Sequence, residues 1–232
     1  MTHRSLGVGG YIFWGPRACP WGSIKILRLV ASSKKTKFST RSKRRMTPVG
    51  LTKKNLLMTG LPGVGKTTLI KKLSEELRSL RPAGFYTAEI REKAIRKGFE
   101  LVSLEGKRGV LSHIDIKSPY RVGRYKVDIK SFEDFLDGIS FFDNSTGLVI
   151  IDEIGKMECF LGQFKKLIKE LLDSEKWVIA TIALKGSGLI GDIKKRHDVK
   201  LFEMTQKNRD SLFSEIIKEI NLNNSPPLET VS

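Results

Sequence analysis

One short segment, residues 60–67, limits the fold of this chain more than any other feature of the sequence. It reads Gly-Leu-Pro-Gly-Val-Gly-Lys-Thr, which fits the pattern G-x-x-x-x-G-K-[ST]. An apolar run at residues 55–59 precedes it, and a helical pattern over residues 67–80 follows it. A glycine-rich turn between a buried strand and a helix is typical of an α/β protein that binds phosphate groups at the turn.

The residue types in this segment, called the phosphate loop below, suit that chemistry. Gly60, Gly63 and Gly65 allow the backbone to turn its N–H groups inward, and the helix that follows adds its positive N-terminal end. Lys66 can reach the β- and γ-phosphates of a nucleotide, and the hydroxyl of Thr67 can bind Mg²⁺. The segment does not contain G-x-G-x-x-G, which argues against a Rossmann dehydrogenase.

Two acidic residues after a second apolar run form the other half of the predicted site. Leu148–Ile151 is apolar and β-branched, as in a central parallel strand, and Asp152 and Glu153 follow it directly. We expect Asp152 to bind Mg²⁺ with Thr67, and Glu153 to polarise a water for in-line attack on the γ-phosphorus. The predicted catalytic residues are therefore Lys66, Asp152 and Glu153. Capping of the next helix is the alternative role for the two acidic residues.

The rest of the chain alternates between strand-like and helix-like segments. Further strands are predicted at residues 85–90, 99–104, 125–129, 148–151, 177–182 and 199–204, and further helices at residues 131–139, 156–173 and 208–220. This order predicts a three-layer α/β fold with a mostly parallel central sheet and helices on both faces. Ligands of such sheets bind at the carboxyl ends of the strands.

Charge separates a basic extension from the body of the chain. The first 50 residues contain 11 Lys and Arg and no acidic residue, whereas the other 182 contain 31 Lys and Arg against 25 Asp and Glu. We expect residues 1–50 to be disordered, residues 51–222 to form the domain with the phosphate loop, and residues 223–232 to be a flexible tail. The extension resembles an organellar transit peptide, and a true start at Met46 is the alternative explanation.

Composition limits the compartment of the protein. Hydrophobic residues make up 40% and charged residues 29% of the chain, which excludes collagen, a mostly disordered chain and a membrane bundle. The longest uncharged stretch near the N-terminus, Ser5–Pro16, is far shorter than the ~20 residues of a spanning helix. Cys19 and Cys159 are too few for a disulfide framework. We expect a cytoplasmic protein, or a mitochondrial or plastid one if residues 1–45 are a transit peptide.

Six blocks of sequence resemble, in order and spacing, the small P-loop nucleoside-triphosphatase family first known from thermophiles, to which the human cancer-related nucleoside-triphosphatase belongs. The blocks are GLPGVGKTTLI (60–70), GFYTAEIRE (84–92), GF (98–99), RVGRYKVD (121–128), VIIDEIGKME (149–158) and TQKNRD (205–210). The resemblance implies a P-loop NTPase fold and Mg²⁺-dependent hydrolysis of ATP, GTP, CTP, UTP and TTP to the diphosphate and phosphate, with weaker activity on diphosphates.

The resemblance also assigns nucleotide contacts to the phosphate loop and to the end of the second apolar strand. These residues are Gly60, Leu61, Pro62, Gly63, Val64, Gly65, Lys66, Thr67, Leu148, Val149, Ile150, Ile151, Asp152, Glu153, Ile154 and Gly155. Residues 152–155 also fit the D-x-x-G pattern of GTPases, but the guanine-specifying N-K-x-D pattern is absent. We therefore expect weak discrimination between bases.

Two other functions stay open at this point. A small nucleotide or metabolite kinase would share the loop but needs an acceptor pocket and usually an Arg-rich lid, for which the basic clusters at 94–97 and 194–196 are weak substitutes. A nucleotide-gated RNA or DNA binder would use the basic extension, since the modest charge of the body gives little reason to expect nucleic-acid binding there. The oligomeric state cannot be read from the sequence.

Candidates for the cation that stabilises charge on the γ-phosphoryl group are Arg91, Arg96, Lys156 and Arg209, the last of which could instead stack on the base.

Overall fold

The structure, a computed structural model, describes residues 53–224. The described elements are β1 (Asn55–Gly60), α1 (Lys66–Glu76), β2 (Pro82–Glu92), β3 (Ile95–Ser103), β4 (Arg108–His113), β5 (Arg121–Val122), β6 (Tyr125–Val127), α2 (Ile129–Asp137), β7 (Leu148–Ile154), α3 (Gly162–Asp173), β8 (Trp177–Ile182), α4 (Leu189–Lys194), β9 (Val199–Met204) and α5 (Arg209–Asn224), with 3-10 turns at Arg78–Leu80 and Glu158–Phe160. The predicted extension at residues 1–50 and residues 225–232 of the predicted tail lie outside the described residues. Among the helices described, none is long and apolar enough to cross a bilayer.

All nine described strands belong to one sheet, in the order β5-β6-β4-β3-β2-β7-β8-β1-β9. The strands β2, β7, β8, β1 and β9 run parallel to one another. The strands β3, β4, β6 and β5 extend the sheet from β2 as an antiparallel meander. Strands β1 and β8 are buried at every residue, which explains why central parallel strands appear in the sequence as mostly apolar runs.

Helices cover both faces of the parallel part of the sheet. On one face, α1 and α5 pack against β1 through residues such as Ile70 and Ile216, both fully buried. On the other face, α2 and α3 bring Phe132, Phe135 and Phe164 onto Phe85 of β2, where the rings of Phe85 and Phe135 lie 5.6 Å apart, edge to face. These two layers confirm the predicted three-layer α/β fold.

Some boundaries differ from the sequence predictions because short or mixed segments carry weak periodicity. The strand predicted at residues 85–90 begins earlier, at Pro82, which lies opposite Leu148 of β7; the first residue of a strand is a position that proline tolerates. The strand β4 and the helix α4 were not predicted, since six residues of mixed polarity show no clear period. The helix predicted from residue 156 begins at Gly162, after the 3-10 turn.

The start of α2 also differs from the prediction. The helix is predicted from residue 131, but its N-cap is Asp128, whose carboxylate accepts a hydrogen bond from the backbone N–H of Ser131 at 3.0 Å. An aspartate satisfies the free N–H groups of a first helical turn as well as a serine does. The helix therefore begins at Ile129, and the preceding strand β6 ends at Val127.

Candidate active site

The phosphate loop connects β1 to α1, as predicted. Gly63 and Gly65 have φ values of 75° and 108°, a region that side chains disfavour, and Gly65 is the N-cap of α1. A Cβ at Gly60 would lie 2.5 Å from the carbonyl oxygen of Met204, because β1 pairs with β9 at this point. Each of the three glycines thus has a geometric reason to be glycine.

The side chain of Lys66 folds back over the phosphate loop from the first residue of α1. Its Nζ donates hydrogen bonds to the carbonyl oxygens of Gly60 at 3.0 Å and Leu61 at 3.3 Å. Of the other loop residues, Leu61 and Pro62 are exposed, whereas Val64 is buried. The ammonium group therefore lies against the backbone at the start of the loop.

Asp152 brings the loop and the second apolar strand into one site. It lies near the end of β7 with 2% of its surface exposed, and its Oδ2 accepts a hydrogen bond from Thr67 Oγ1 at 2.5 Å. Its Oδ1 accepts a second one from Thr181 Oγ1, also at 2.5 Å. The residues come from α1, β7 and β8, so the carboxylate sits where the strands of the parallel sheet end.

Thr181 is a site residue that the sequence analysis missed. It is fully buried in β8, and the other five residues of this strand are apolar. A polar residue inside such a run was the available signal. Its partner could not be inferred, because the sequence does not show that β8 lies beside β7.

Glu153 is partly buried beside two lysines. Burial raises the pKa of its carboxyl group, and the nearby charge of Asp152 adds to this, while Lys66 and Lys194 act in the opposite direction. Lys194 of α4 was considered in the sequence only as part of a basic cluster. Its Nζ donates to the carbonyl oxygen of Ala183 at 2.7 Å, and burial lowers its pKa.

The other predicted nucleotide contacts from the second strand are core residues. The side chains of Leu148–Ile151 and of Ile154 are fully buried between the helical layers. Only the carboxyl end of this strand, at Asp152 and Glu153, and the following Gly155 approach the site described above. Contact of the buried residues with nucleotide stays a prediction.

The candidate cations lie in different places. Arg91 and Arg96 are on the β2–β3 hairpin, where both bind Glu89, with nitrogen–oxygen hydrogen-bond distances of 2.7 and 2.6 Å. Lys156 is exposed on the segment after β7. Arg209 begins α5 and lines a cavity of about 430 Å³ beside Gly65. The structure therefore brings Arg209, among these four, next to the phosphate loop.

The comparisons with known proteins agree with this geometry. A family model described as NTPase matches residues 55–217. A nucleoside-triphosphatase THEP1 from Thermotoga sp. (strain RQ2) is 45% identical over 171 residues, which cover 72% of this chain and 96% of the relative. This chain belongs to the nucleoside-triphosphatase family. A human relative of this family, the cancer-related nucleoside-triphosphatase, is 41% identical over 180 residues, covering 71% of this chain and 95% of the relative.

Solved structures from the nucleoside-triphosphatase family share the fold. The crystal structure of THEP1 from Aquifex aeolicus has a TM-score of 0.62 and 34% identity, covering 71% of this chain and 97% of that one. The solution structure of the human cancer-related nucleoside triphosphatase has a TM-score of 0.63 and 37% identity, covering 74% and 99%. The predicted family, the P-loop NTPase fold and, at the level of the family, the predicted hydrolase class are confirmed.

Proposed function

We propose that this chain binds the triphosphate of a nucleotide at the phosphate loop and hydrolyses its terminal anhydride bond with Mg²⁺ and water. The observation that carries the proposal is the 2.5 Å contact between Thr67 and Asp152, which are 85 residues apart in the chain. It joins the loop that would hold the phosphates to the acidic pair that would serve the metal and the nucleophile.

The oxygen ligands at this contact suit Mg²⁺. This ion commonly takes one or two protein oxygens and completes an octahedron with phosphate oxygens and water. The hydroxyl of Thr67 and the carboxylate of Asp152 supply such a pair. Within residues 53–224 there is no cluster of three or more His, Cys, Asp or Glu that would form an all-protein metal cage. Thr67 and Asp152 would hold Mg²⁺, which would neutralise the negative charge that develops on the phosphates during transfer.

The residues of the chain have separate roles in the proposed reaction. Lys66 now binds two neutral carbonyl oxygens, and we expect it to exchange them for phosphate oxygens, since charge-assisted hydrogen bonds are the stronger. Glu153 accepts a proton from the attacking water. The water oxygen bonds to the γ-phosphorus, the bond from the γ-phosphorus to the bridging oxygen breaks, and the nucleoside diphosphate leaves.

The cavity beside Gly65 is the proposed site of the base. It also includes Lys72, Arg209 and Phe213, a set that offers a planar cation and an aromatic ring rather than a fixed hydrogen-bond pattern. Arg209 is exposed and has an ion pair with its neighbour Asp210 at 3.5 Å. Stacking tolerates any base, so we expect ATP, GTP, CTP, UTP and TTP all to be hydrolysed, and diphosphates to be poorer substrates.

Phosphate release tests this proposal. We expect release from all five triphosphates in the presence of Mg²⁺ and none above background when it is chelated. Glu153→Gln should still bind a fluorescent ATP analogue but lose about 10²–10⁴-fold in turnover, the usual contribution of a general base. Glu170→Gln, an exposed position on α3, is the matched control. Unchanged turnover in Glu153→Gln would show that Glu153 is not the base.

A further inference from the structure

A second cavity borders Glu153 away from the phosphate loop. It has a volume of about 300 Å³, and its apolar walls include Phe99, Leu111, Val122 and Met157. These residues come from β3, β4 and β5 and from the segment after β7. No residue of the phosphate loop lines this cavity, and Glu153 is the residue that it shares with the proposed hydrolytic site.

The cavity is larger than hydrolysis needs. A water molecule takes up about 30 Å³ in the liquid, and it requires two to four polar partners rather than apolar walls. Pockets for small molecules begin at about 300 Å³ and combine apolar walls with a few placed polar groups. The volume and the lining therefore match a small organic ligand better than a single attacking water.

The polar groups of this cavity define the charge of the ligand. Glu153 and Glu158 both line it, and a Cβ at Gly155 would lie 2.8 Å from Oε2 of Glu158 and 3.2 Å from Oε1 of Glu153, so the two carboxyl groups lie close together. Lys156, which is exposed at the rim, is the one basic residue in the lining. An anionic ligand beside these carboxyl groups would have only the exposed Lys156 as a cationic partner.

Glu158 adds a hydrogen-bonding group that the proposed hydrolysis does not use. It is 5% exposed, and burial raises the pKa of its carboxyl group to about 8, with Glu153 and Asp152 adding to the rise and backbone N–H groups of Glu158 and Gly155 opposing it. At neutral pH this carboxyl group carries its proton for most of the time and can donate a hydrogen bond to an uncharged oxygen.

We propose that the cavity binds a small, uncharged compound with an apolar body and a primary hydroxyl group, and that this hydroxyl accepts the γ-phosphoryl group in place of water. The proposal rests on the proposed function, because the same loop and the same Glu153 serve both reactions. The hydroxyl oxygen bonds to the γ-phosphorus while the bond to the bridging oxygen breaks. The hydroxyl proton passes to Glu153, and the products are a phosphate monoester and a nucleoside diphosphate.

The test compares ester formation with phosphate release in the same reaction. The full chain is incubated with ATP, Mg²⁺ and benzyl alcohol or cyclohexylmethanol at millimolar concentration, with glycerol as a polar alcohol of similar reactivity. Phosphate, ADP and the ester are quantified by ³¹P NMR and chromatography. We expect ester from the two apolar alcohols and ADP in excess of phosphate, and about tenfold less ester from glycerol, since apolar contacts of this size discriminate by about that factor.

A pair of valine substitutions ties the ester to the cavity. Val122→Trp fills the cavity from the partly exposed edge strand β5 and should lower the ratio of ester to phosphate about tenfold. Val110→Trp, on β4 and outside the lining, is the matched control and should keep the ratio. Normal phosphate release without ester, or an equal ratio in both variants, overturns the acceptor site. Absence of phosphate release without any alcohol instead contradicts the proposed function, and the acceptor site with it.

Discussion

The hydroxyl of Thr181 provides a sharp test of how the site is held together. Thr181 is fully buried, and its Oγ1 donates to Asp152 Oδ1 at 2.5 Å, while Thr67 occupies the other carboxylate oxygen. Thr181→Val keeps the shape of the side chain and removes this hydrogen bond. A hydrogen bond to a charged group contributes about 1.5–3 kcal/mol, so we expect the free energy of unfolding to fall by about that amount.

The same substitution should weaken the proposed metal site. Without Thr181 to orient it, the carboxylate of Asp152 can turn away from Thr67, and loss of a residue that orients a metal ligand typically costs about 10–100-fold in metal affinity or activity. The assays are urea denaturation and the Mg²⁺ dependence of phosphate release. The Mg²⁺ concentration for half-maximal release should rise in Thr181→Val.

Thr181→Ser is the control for this experiment. It keeps the hydroxyl and removes one methyl group, which costs about 0.8 kcal/mol of stability and leaves the hydrogen bond to Asp152 in place. Its Mg²⁺ dependence should match that of the unmodified chain. If the Val and Ser variants require the same Mg²⁺ concentration, Thr181 does not position Asp152 and the reasoning is wrong.

Three further substitutions test other parts of the account. Gly60→Ala places a Cβ 2.5 Å from the carbonyl oxygen of Met204, so we expect weaker binding of a fluorescent ATP analogue and a lower melting temperature. Glu158→Gln should remove a fall in stability that the unmodified chain shows between pH 5 and 8, measured by urea denaturation at several pH values. Lys194→Met removes a charge that holds the pKa of Glu153 down, so the acidic limb of the pH–rate profile should move to higher pH.

The sign of the Glu158 effect follows from its raised pKa. The folded chain holds this proton up to about pH 8, whereas the unfolded chain releases it near the ordinary value of 4.5. The contribution to stability is therefore complete below pH 4.5 and is lost as the pH rises through about 8. Should the unmodified chain and Glu158→Gln lose stability equally over this range, the carboxyl group is not protonated in the fold.

The other two substitutions have matched controls. Gly162→Ala, where a Cβ meets no atom within 4 Å, should leave nucleotide binding and stability nearly unchanged. Lys195→Met removes an exposed charge next to Lys194 and should leave the pH–rate profile in place. Equal effects of the alanine substitutions at Gly60 and Gly162 would contradict the close contact between Gly60 and Met204. A shift of the pH–rate profile in Lys195→Met as large as in Lys194→Met would contradict the charge interaction between Lys194 and Glu153.

The sequence predicted the parts of the site that local chemistry determines. The phosphate loop needs glycines and a lysine at fixed spacing, and Asp152 follows an apolar strand, so both could be recognised along the chain. The strands β1, β8 and β9 were predicted within a residue, because each is a short segment rich in apolar residues.

The sequence did not predict the parts of the site that depend on strand order. Thr181 reaches Asp152 because β8 lies between β7 and β1, an arrangement that connects residues distant in the chain. The cavity at Glu153 depends on the antiparallel meander, which includes β4, and no local signal in the sequence shows that residues of this meander line a cavity with Glu153. Lys194 lies on a six-residue helix that is too short to show a period.

A double-mutant cycle on Thr67→Ala and Asp152→Asn tests most directly whether the loop and the acidic pair serve one magnesium-bound triphosphate. The quantity measured is the Mg²⁺ concentration for half-maximal phosphate release from ATP in the two single variants and the double variant. The 2.5 Å contact between the two side chains predicts that the double variant needs little more Mg²⁺ than the single variant with the higher requirement. Free energies that add to within about 0.5 kcal/mol would contradict the shared site, since independent positions behave in that way.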